Sequence, residues 1–377
     1  MIEDFDEYIR QGEPSQVEKS QIWQTAIGLQ QVDGLTPSAY LIETAKENIE
    51  GKITIDEVKY RIDSYYKLQN NVKSDDGDRT EEADRVSANI TEILSEQTFT
   101  FSPAELFSIH KRLFTGVENI RVKVGEIRDY NMTKSEWVLN GKTVLYASAD
   151  TINATLDYDF LQEKNFNFKG LSKQEIVEHI AKFISGLWQI HPFGEGNTRT
   201  IAVFTIKYLR SFGFEVENDM LAKHSWYFRN ALVRANHNDY QNTIFATHEY
   251  LMRFFGNLLL GEKNELRNRH LRIETSSDAV KEPNSPLNIN SGGQKDDSGG
   301  QKRWSEKVVR LLELLIEKPN ITRKELSEAL QINPSAVQKH IVKLKNEGVI
   351  FREGSDKKGV WKVTSNSKGS ISNFVRY

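Results

Sequence analysis

The nine residues His191-Pro-Phe-Gly-Glu-Gly-Asn-Thr-Arg199 constrain the fold of this chain more than any other segment. An apolar run at 184–190 leads into them, and a second helical pattern at 201–209 leads out. Pro192 cannot continue the preceding helix, so the chain must turn there. The two glycines allow backbone conformations that other residues avoid. The segment is therefore predicted to be a tight loop between two helices.

The side chains of this loop suit a nucleotide phosphate held next to a base. Backbone N–H groups over 196–198, at the start of the second helix, can form an anion-binding nest. Arg199 offers a fork of donors for phosphate oxygens. Glu195 is a hard oxygen ligand suited to Mg2+. His191 titrates near neutrality and is therefore the candidate general base.

The loop resembles the signature of the Fic family, His-x-Phe-x-(Asp/Glu)-Gly-Asn-(Gly/Lys)-Arg-x-x-Arg. Fic proteins are all-helical and mostly transfer AMP from ATP to a protein hydroxyl. The resemblance implies that His191 is the catalytic base and that Glu195 holds the Mg2+ cofactor. It also implies that ATP is the substrate. The residues expected to bind ATP and its phosphates are Gly194, Glu195, Gly196, Asn197, Thr198 and Arg199.

Two positions depart from the signature. Ala202 stands where the family has its second arginine, and Thr198 replaces the commoner Gly or Lys. In the family, the second arginine contacts the terminal phosphate of ATP and pairs with an inhibitory glutamate. Arg229 and Arg234 are candidates to replace it, but their five-residue spacing prevents both from sharing one helical face. A solvent-facing position is the alternative for each.

Composition limits the chemistry that this chain of 377 residues can perform. The absence of cysteine excludes disulfides, thiolate catalysis and cysteine-ligated zinc. No apolar run approaches the length of a membrane span. The acidic N-terminus, Met1-Ile-Glu-Asp-Phe-Asp, lacks the basic and apolar regions of a signal peptide. We therefore expect a cytoplasmic protein with no membrane partner.

Residues 1–70 form a predicted helical unit that resembles the VbhA-type antitoxins of some Fic toxins. The similar features are Gln30-Gln-Val-Asp-Gly-Leu35 and Asn48-Ile-Glu-Gly51. Helices are predicted over 20–31, 36–49 and 54–66, from capping residues and apolar periodicity. A helical extension without a regulatory role is the alternative.

Fic inhibition motifs have the form (Ser/Thr)-x-x-x-Glu-(Gly/Asn), and this segment matches them in part. The aligned positions hold Leu29 and then Asp33 and Gly34, so the carboxylate is one methylene shorter. The resemblance implies that Asp33 and Gly34 are regulatory residues in a toxin–antitoxin type of self-inhibition. Glu50 is a second candidate, although Lys46 stands where the motif has a hydroxyl.

The catalytic domain is predicted over 71–273, with one β-like region. Asn140-Gly141, between runs of strand-forming residues, is a strong hairpin signal. Fic proteins carry a β-hairpin flap in this part of the chain, which would hold the target protein by strand addition. The expected docking residues are Val138, Leu139, Asn140 and Gly141, and a plain surface hairpin is the alternative. Helices are predicted over 81–94, 102–114, 172–190, 220–236 and 242–260.

A linker is predicted over 274–303, followed by a winged helix-turn-helix domain over 304–377. The linker is rich in Ser, Asn, Gly, Asp and Pro and lacks apolar residues on which to fold. Residues 302–377 contain 16 Lys and Arg but eight Asp and Glu, which favours a polyanionic partner. Three predicted helices and two strands resemble the DNA-binding modules of transcription regulators, with protein contacts as the alternative. The expected DNA contacts are Ser335, Gln338, Lys339, Lys343, Lys357 and Lys358.

The overall prediction is a mainly α-helical Fic bundle with a β-hairpin flap, joined to a small α+β winged-helix domain. It would act as a nucleotidyltransferase that transfers AMP from ATP to a Ser, Thr or Tyr hydroxyl of a target protein or of itself. Two alternatives stay open: a Fic variant that uses another nucleotide or removes AMP, and a DNA-binding regulator whose Fic body senses nucleotide. A homodimer is a candidate assembly, and the sequence does not give the oligomeric state.

Overall fold

The computed structural model of the chain contains two compact units, divided near residue 301. The first unit is described over residues 5–69, 75–117, 120, 122–214, 216 and 219–273. The second is described over residues 306–330, 337, 340–341, 344–345, 350–353 and 360–363. Among these residues, no helix combines the length and the apolarity that crossing a bilayer requires.

The described part of the first unit is helical, which confirms the predicted fold class. Short 3-10 turns join its helices, and one of them, Leu29–Asp33, borders the candidate site. The helices are α1 (Asp6–Gln11), α2 (Pro14–Gly28), α3 (Ala39–Ile49), α4 (Ile55–Gln69), α5 (Asp75–Ser95), α6 (Pro103–Leu113), α7 (Ile152–Asn165), α8 (Lys173–Ile190), α9 (Asn197–Ser211), α10 (Asp219–Ala235) and α11 (Glu249–Leu260).

Helices α8 and α9 carry the loop that the sequence singled out. Ser172 and Glu175 start α8 with a capping box, in which each side chain accepts a bond from the other's backbone N–H. The apolar stripe of α8 is buried in the main core with the buried residues of α9. Because both helices are anchored in this way, the loop between them has little freedom to move.

The N-terminal helices pack on the catalytic helices within the same unit. Ile22, Ala26 and Leu29 belong to the main core, although they precede the predicted catalytic domain. At Gly28 the backbone of α2 lies directly against the backbone of α10, because a Cβ there would lie 2.5 Å from the Ala222 Cα. The 3-10 turn after α2 is thereby held against the start of α9.

Three elements of the first unit differ from the sequence predictions. Helix α7 was not predicted, although Ile152, Leu156 and Phe160 repeat every four residues on its buried side. The helix predicted over 242–260 begins only at Glu249, since residues 240–242 form a separate 3-10 turn. Helix α9 begins at Asn197, so the end of the loop is already the first helical turn.

The predicted β-hairpin flap is wrong in its secondary structure. No strand occurs among the described residues of this region, and Trp137–Leu139 form a 3-10 turn. Asn140 and Gly141 do turn the chain, with φ values of 51° and 87°. Val138 and Leu139 are buried in the main core, so their side chains cannot dock a target. We call residues 130–147 the flap loop.

The second unit has its own core and the elements of a winged helix. Helices α12 (Glu306–Glu317) and α13 (Arg323–Leu330) pack with an antiparallel pair of strands, β1 (Ile350–Glu353) and β2 (Val360–Val363). The wing strands are therefore confirmed. All six predicted DNA-contacting residues, Ser335, Gln338, Lys339, Lys343, Lys357 and Lys358, lie outside the described residues.

Candidate active site

His191 ends helix α8 in a left-handed conformation, with φ 51°, and is 2% exposed. Its Nδ1 lies 3.2 Å from the carbonyl oxygen of Trp188. A carbonyl only accepts hydrogen bonds, so Nδ1 must carry the proton and Nε2 must carry the lone pair. This Nε2 is buried and has no partner among the described residues. It is therefore free to accept a proton.

The surroundings of His191 keep its imidazole neutral. Burial lowers its pKa well below the ordinary value, and the positive charges of Lys134, Arg128 and Arg229 lower it further. The ring of Tyr146 packs 4.1 Å away, centroid to centroid. A neutral imidazole with a free Nε2 is the protonation state that a general base needs.

The loop after His191 is closed by the side chain of Asn197. Its Oδ1 accepts a bond from the Phe193 N–H at 3.0 Å, and its Nδ2 donates to the Phe193 carbonyl at 2.7 Å. Gly196 takes φ 72°, and a Cβ there would overlap the ring of Phe114. The Asn197 amide therefore shapes the loop, and its contact with phosphate stays a prediction.

The start of α9 presents the predicted anion-binding amides. The first helical bond runs from the Thr200 N–H to the Gly196 carbonyl, so the N–H groups of residues 197–199 precede it. The hydroxyl of Thr198 accepts a bond from the Trp188 indole at 3.0 Å, which ties the start of α9 to α8. Gly194 packs closely against Tyr130 and Val122.

Arg199 is fully buried and surrounded by acceptors from two other elements. Its Nε lies 2.7 Å from Asp33 Oδ2, in a charge contact that is too poorly aligned for a hydrogen bond. Its Nη2 donates to Glu82 Oε1 at 2.7 Å, and its Nη1 donates to Gln30 Oε1 at 3.1 Å. We call Gln30, Asp33 and Glu82 the Arg199 clamp. All three edges of the guanidinium are thereby occupied.

The clamp is itself held in place by the turn that follows α2. Gly34 ends this turn in the left-handed conformation, with φ 64°. Arg79 of α5 donates to the carbonyls of Asp33 and Gly34 at 3.0 and 3.1 Å. Helix α5 thus contributes both Glu82 and the donor that fixes the end of the turn.

The second candidate for an inhibitory carboxylate does not reach the loop. Glu50 accepts a bond from the Tyr8 hydroxyl at 2.6 Å and pairs with Lys52 at 2.5 Å. Of the two candidate carboxylates, only Asp33 therefore contacts the signature arginine.

The arginine candidates at the site have different surroundings. Ala202 is buried in the main core, so α9 supplies no cation at that position. Arg229 lies 2.9 Å from the buried Glu136 and stacks on Trp226, close enough to His191 to lower its pKa. Arg234 is placed near Tyr250 instead. Arg229 therefore lies near His191, but its guanidinium forms an ion pair with Glu136.

Lys134 of the flap loop is a cation that the sequence did not indicate. Its positive charge lowers the pKa of both His191 and Glu195, so it lies near the base and near the predicted metal ligand. None of the described carboxylates forms an ion pair with it. Lys134 also lines a groove of about 610 Å³ that extends along the flap loop to 237–239. No residue of the loop 191–199 lines this groove.

Glu195 can contribute one ligand to a metal ion. Crowding by the protein reduces the hydration of its carboxyl and, with the nearby Glu82 and Asp33, raises its pKa, although the residue as a whole is exposed. No group of three potential metal ligands occurs among the described residues. Mg2+ is usually held by one or two carboxylates together with substrate phosphates and water, so Glu195 stays the predicted ligand.

The sequence is similar to two known families. The sequence model of the Fic/DOC family matches residues 100–209. That of the winged helix-turn-helix DNA-binding family matches residues 305–350. No curated protein matches the chain.

Several solved structures are similar to the chain at low identity. A Fic family protein from Desulfovibrio desulfuricans G20 is 13% identical over 97% of this chain and 94% of its own, with a TM-score of 0.42. A Fic domain containing signaling protein from Bacteroides thetaiotaomicron is 16% identical over 69% and 92%, with a TM-score of 0.40. BepC from Bartonella tribocorum, with bound AMPPNP, is 21% identical over 50% and 88%, with a TM-score of 0.37.

Proposed function

Because residues 100–209 match the sequence model of the Fic/DOC family, we propose that the chain transfers AMP from ATP to a hydroxyl of a target protein. The observation that carries the proposal is the free, buried Nε2 of His191 beside the N-terminus of α9. A base and an anion-binding amide cluster on one loop are the two components that phosphoryl transfer needs.

The reaction follows from the arrangement of these groups. The target's hydroxyl gives its proton to Nε2 of His191, and its oxygen attacks the α-phosphorus of ATP. The bond between that phosphorus and the α,β-bridging oxygen breaks, and pyrophosphate leaves. The amides of residues 197–199 stabilise the negative charge that develops on the phosphate oxygens. When bound, Mg2+ supplies positive charge at the phosphates, and Glu195 is the residue that would hold it.

We further propose that the N-terminal segment inhibits this reaction through the Arg199 clamp. Arg199 can bind phosphate oxygens only after its contacts with Asp33, Gln30 and Glu82 are broken. Burial opposes the positive charge of Arg199, and the charge of Asp33 is the largest of the attractions that raise its pKa, so Asp33 is the main competitor of phosphate in the clamp. The likeness of residues 1–70 to VbhA-type antitoxins remains a hypothesis beside this proposal.

The test of AMP transfer is incubation of the full chain with α-labelled ATP and Mg2+, alone and with a cell lysate. We expect label on protein, and we expect none with His191→Ala. His248→Ala is a matched control, because His248 lies at the start of α11 and outside the loop. Equal labelling of the His191→Ala protein would overturn the proposal. Labelling from UTP and not from ATP would show that the transferred group is UMP and not AMP.

The test of self-inhibition compares Asp33→Asn with the unaltered chain. Loss of the negative charge should raise the affinity for ATP and the rate of transfer by about tenfold, the effect of losing about 1.4 kcal/mol of competing interaction. Glu50→Gln is the control, since Glu50 does not contact the loop. Equal rates for Asp33→Asn and Glu50→Gln would refute inhibition by Asp33.

DNA binding is a second candidate function, favoured by the winged helix-turn-helix match at 305–350. The excess of Lys and Arg over 302–377 supports contact with phosphates. If the Fic domain only sensed nucleotide for a DNA-binding regulator, His191→Ala would leave ATP-dependent DNA binding intact and the unaltered chain would label no protein.

A further inference from the structure

Arg128 joins the catalytic loop to both ends of the flap loop. Arg128 is 4% exposed, and all three nitrogens of its guanidinium donate to backbone carbonyls. Its Nε donates to the His191 carbonyl at 2.8 Å. Its Nη1 donates to the Tyr130 carbonyl and its Nη2 to the Ala147 carbonyl, each at 2.5 Å. One side chain therefore fixes the backbone of the base and the two ends of the flap loop.

The flap loop needs such a connection because no β ladder holds it. The described residues 130–147 contain no strand, so the two ends of the flap loop are not tied by sheet hydrogen bonds. Near Ala147, two hydrogen bonds connect the flap loop to α8. Gln189 Nε2 donates to the Leu145 carbonyl at 3.0 Å, and the Ala147 N–H donates to the Gln189 carbonyl at 3.4 Å. Arg128 supplies the bonds that a ladder would otherwise provide.

The backbone of His191 also needs a partner. A left-handed conformation is unfavourable for a residue with a Cβ, by roughly 1–2 kcal/mol. The carbonyls at the end of α8 have no intrahelical donor. Arg128 supplies a donor and a positive charge at this negative end of the helix dipole. The Arg128 N–H also donates to the Pro192 carbonyl at 2.9 Å, which extends the contact into the loop.

We propose that Arg128 is a positioning residue that holds the His191 imidazole and the flap loop in one fixed arrangement. The distance from Nε2 of His191 to the flap loop is then set by one buried side chain. This inference rests on the proposed AMP transfer, in which Nε2 must meet a hydroxyl. Arg128 contacts no member of the Arg199 clamp and none of the amides of residues 197–199, so nucleotide binding should not depend on it.

The kinetic test uses two substitutions that separate charge from geometry. Arg128→Lys keeps the charge and loses the planar fork, whereas Arg128→Gln loses both. We expect kcat to fall about 100-fold in each, because a misplacement of about 1 Å has an effect of this size. KM for ATP should stay within about twofold. Arg112→Lys is the matched control, since Arg112 forms its paired bonds with Glu96 away from the loop.

A second readout does not depend on activity. Histidine NMR of the labelled full chain, with His191 signals assigned by their loss in His191→Ala, reports the tautomer and the titration of the ring. We expect both variants to lose the pure Nδ1–H tautomer. The pKa of His191 should rise in Arg128→Gln and change less in Arg128→Lys, because only the former removes a positive charge.

The outcomes separate this inference from the proposed function. If the unaltered chain transfers no AMP, a changed tautomer in both variants still supports the positioning role. Unchanged His191 signals in Arg128→Lys, with kcat within about twofold of the unaltered chain, would overturn it. A rise in KM for ATP that accounts for the whole loss of activity would overturn it too. If Arg128→Gln does not fold, Arg128→Lys decides alone.

Discussion

His110 shows how one buried side chain can be structural and still depend on pH. Its Nδ1 accepts a bond from the Gly125 N–H at 2.8 Å, so its Nε2 must carry the proton and donates to the Glu195 carbonyl at 3.2 Å. Its ring stacks on Phe193, 3.8 Å away. Burial lowers its pKa from 6.5 to about 4. His110 therefore supports the catalytic loop in its neutral form.

The first prediction concerns this histidine. Its folded pKa is lower than its unfolded one, so its contribution to stability is complete above pH 6.5 and is lost as the pH falls toward 4. The loss should approach about 3 kcal/mol in the free energy of unfolding. Denaturant unfolding at several pH values should show a shallower pH dependence for His110→Gln. Parallel curves for the two proteins would contradict the assignment.

The second prediction concerns Lys134, whose charge lowers the pKa of His191 and of Glu195 and which has no ion-pair partner among the described residues. We propose that it supplies the phosphate-binding charge that Ala202 cannot. In an Asp33→Asn background, Lys134→Gln should weaken ATP binding about tenfold, measured by calorimetry. Lys142→Gln is the control from the same loop, because Lys142 is paired with Asp239. Equal affinities for the two variants would rule out this role.

At the scale of elements, helix α5 holds the N-terminal segment on the catalytic domain. Asp84 is buried and accepts bonds from Ser38 N–H at 2.8 Å and from the Tyr66 hydroxyl at 2.7 Å. Two residues earlier, Glu82 holds Arg199. Helix α5 therefore contacts the start of α3, helix α4 and the signature arginine at once, and it joins the turn Leu29–Asp33 in forming the clamp.

The third prediction tests the contribution of α5. Glu82→Gln should raise the rate of transfer as Asp33→Asn does, because either change lowers the negative charge around Arg199. The free protein should melt at a lower temperature, since a buried charge is left less compensated. ATP should raise the melting temperature more than in the unaltered chain. Glu81→Gln is the neighbouring control, because Glu81 pairs with Arg85. A Glu82→Gln protein that matches this control would contradict the prediction.

At the scale of the whole molecule, the two units have separate cores. The second unit packs Leu311, Leu326 and Trp361 together, and none of these residues belongs to the cores of the first unit. Stability changes in one core should therefore leave the chemistry of the other unit unchanged.

The fourth prediction follows from this separation. Leu326 is fully buried, so Leu326→Ala should destabilise the second unit by about 2–5 kcal/mol. DNA binding, if present, should be lost, while the rate of AMP transfer should stay the same. Leu68→Ala is the control, because Leu68 is 82% exposed in the first unit. A parallel loss of transfer activity in Leu326→Ala would show that the two units depend on each other.

The sequence by itself determined the features that local chemistry specifies. Pro192 and the glycines define the turn after α8, and Ser172 with Glu175 defines its start. Two short runs of strand-forming residues defined the wing of the second unit. These predictions succeeded because each depends on residues that are neighbours in the chain. The flap loop shows the limit of such predictions. Val138 and Leu139 lie in a run that predicts a strand, but in the structure they form a 3-10 turn and are buried in the main core.

Only the tertiary structure decided which groups surround the signature loop. Asp33 and Glu50 were both candidates in the sequence, and packing of α2 on α10 brought the first to Arg199 and not the second. Glu82, Lys134 and Arg128 carried no local signal, because single charged residues on a helix or loop look like solvated surface. The partners of a buried charge come from distant parts of the chain, so three-dimensional packing selects them and local sequence pattern does not.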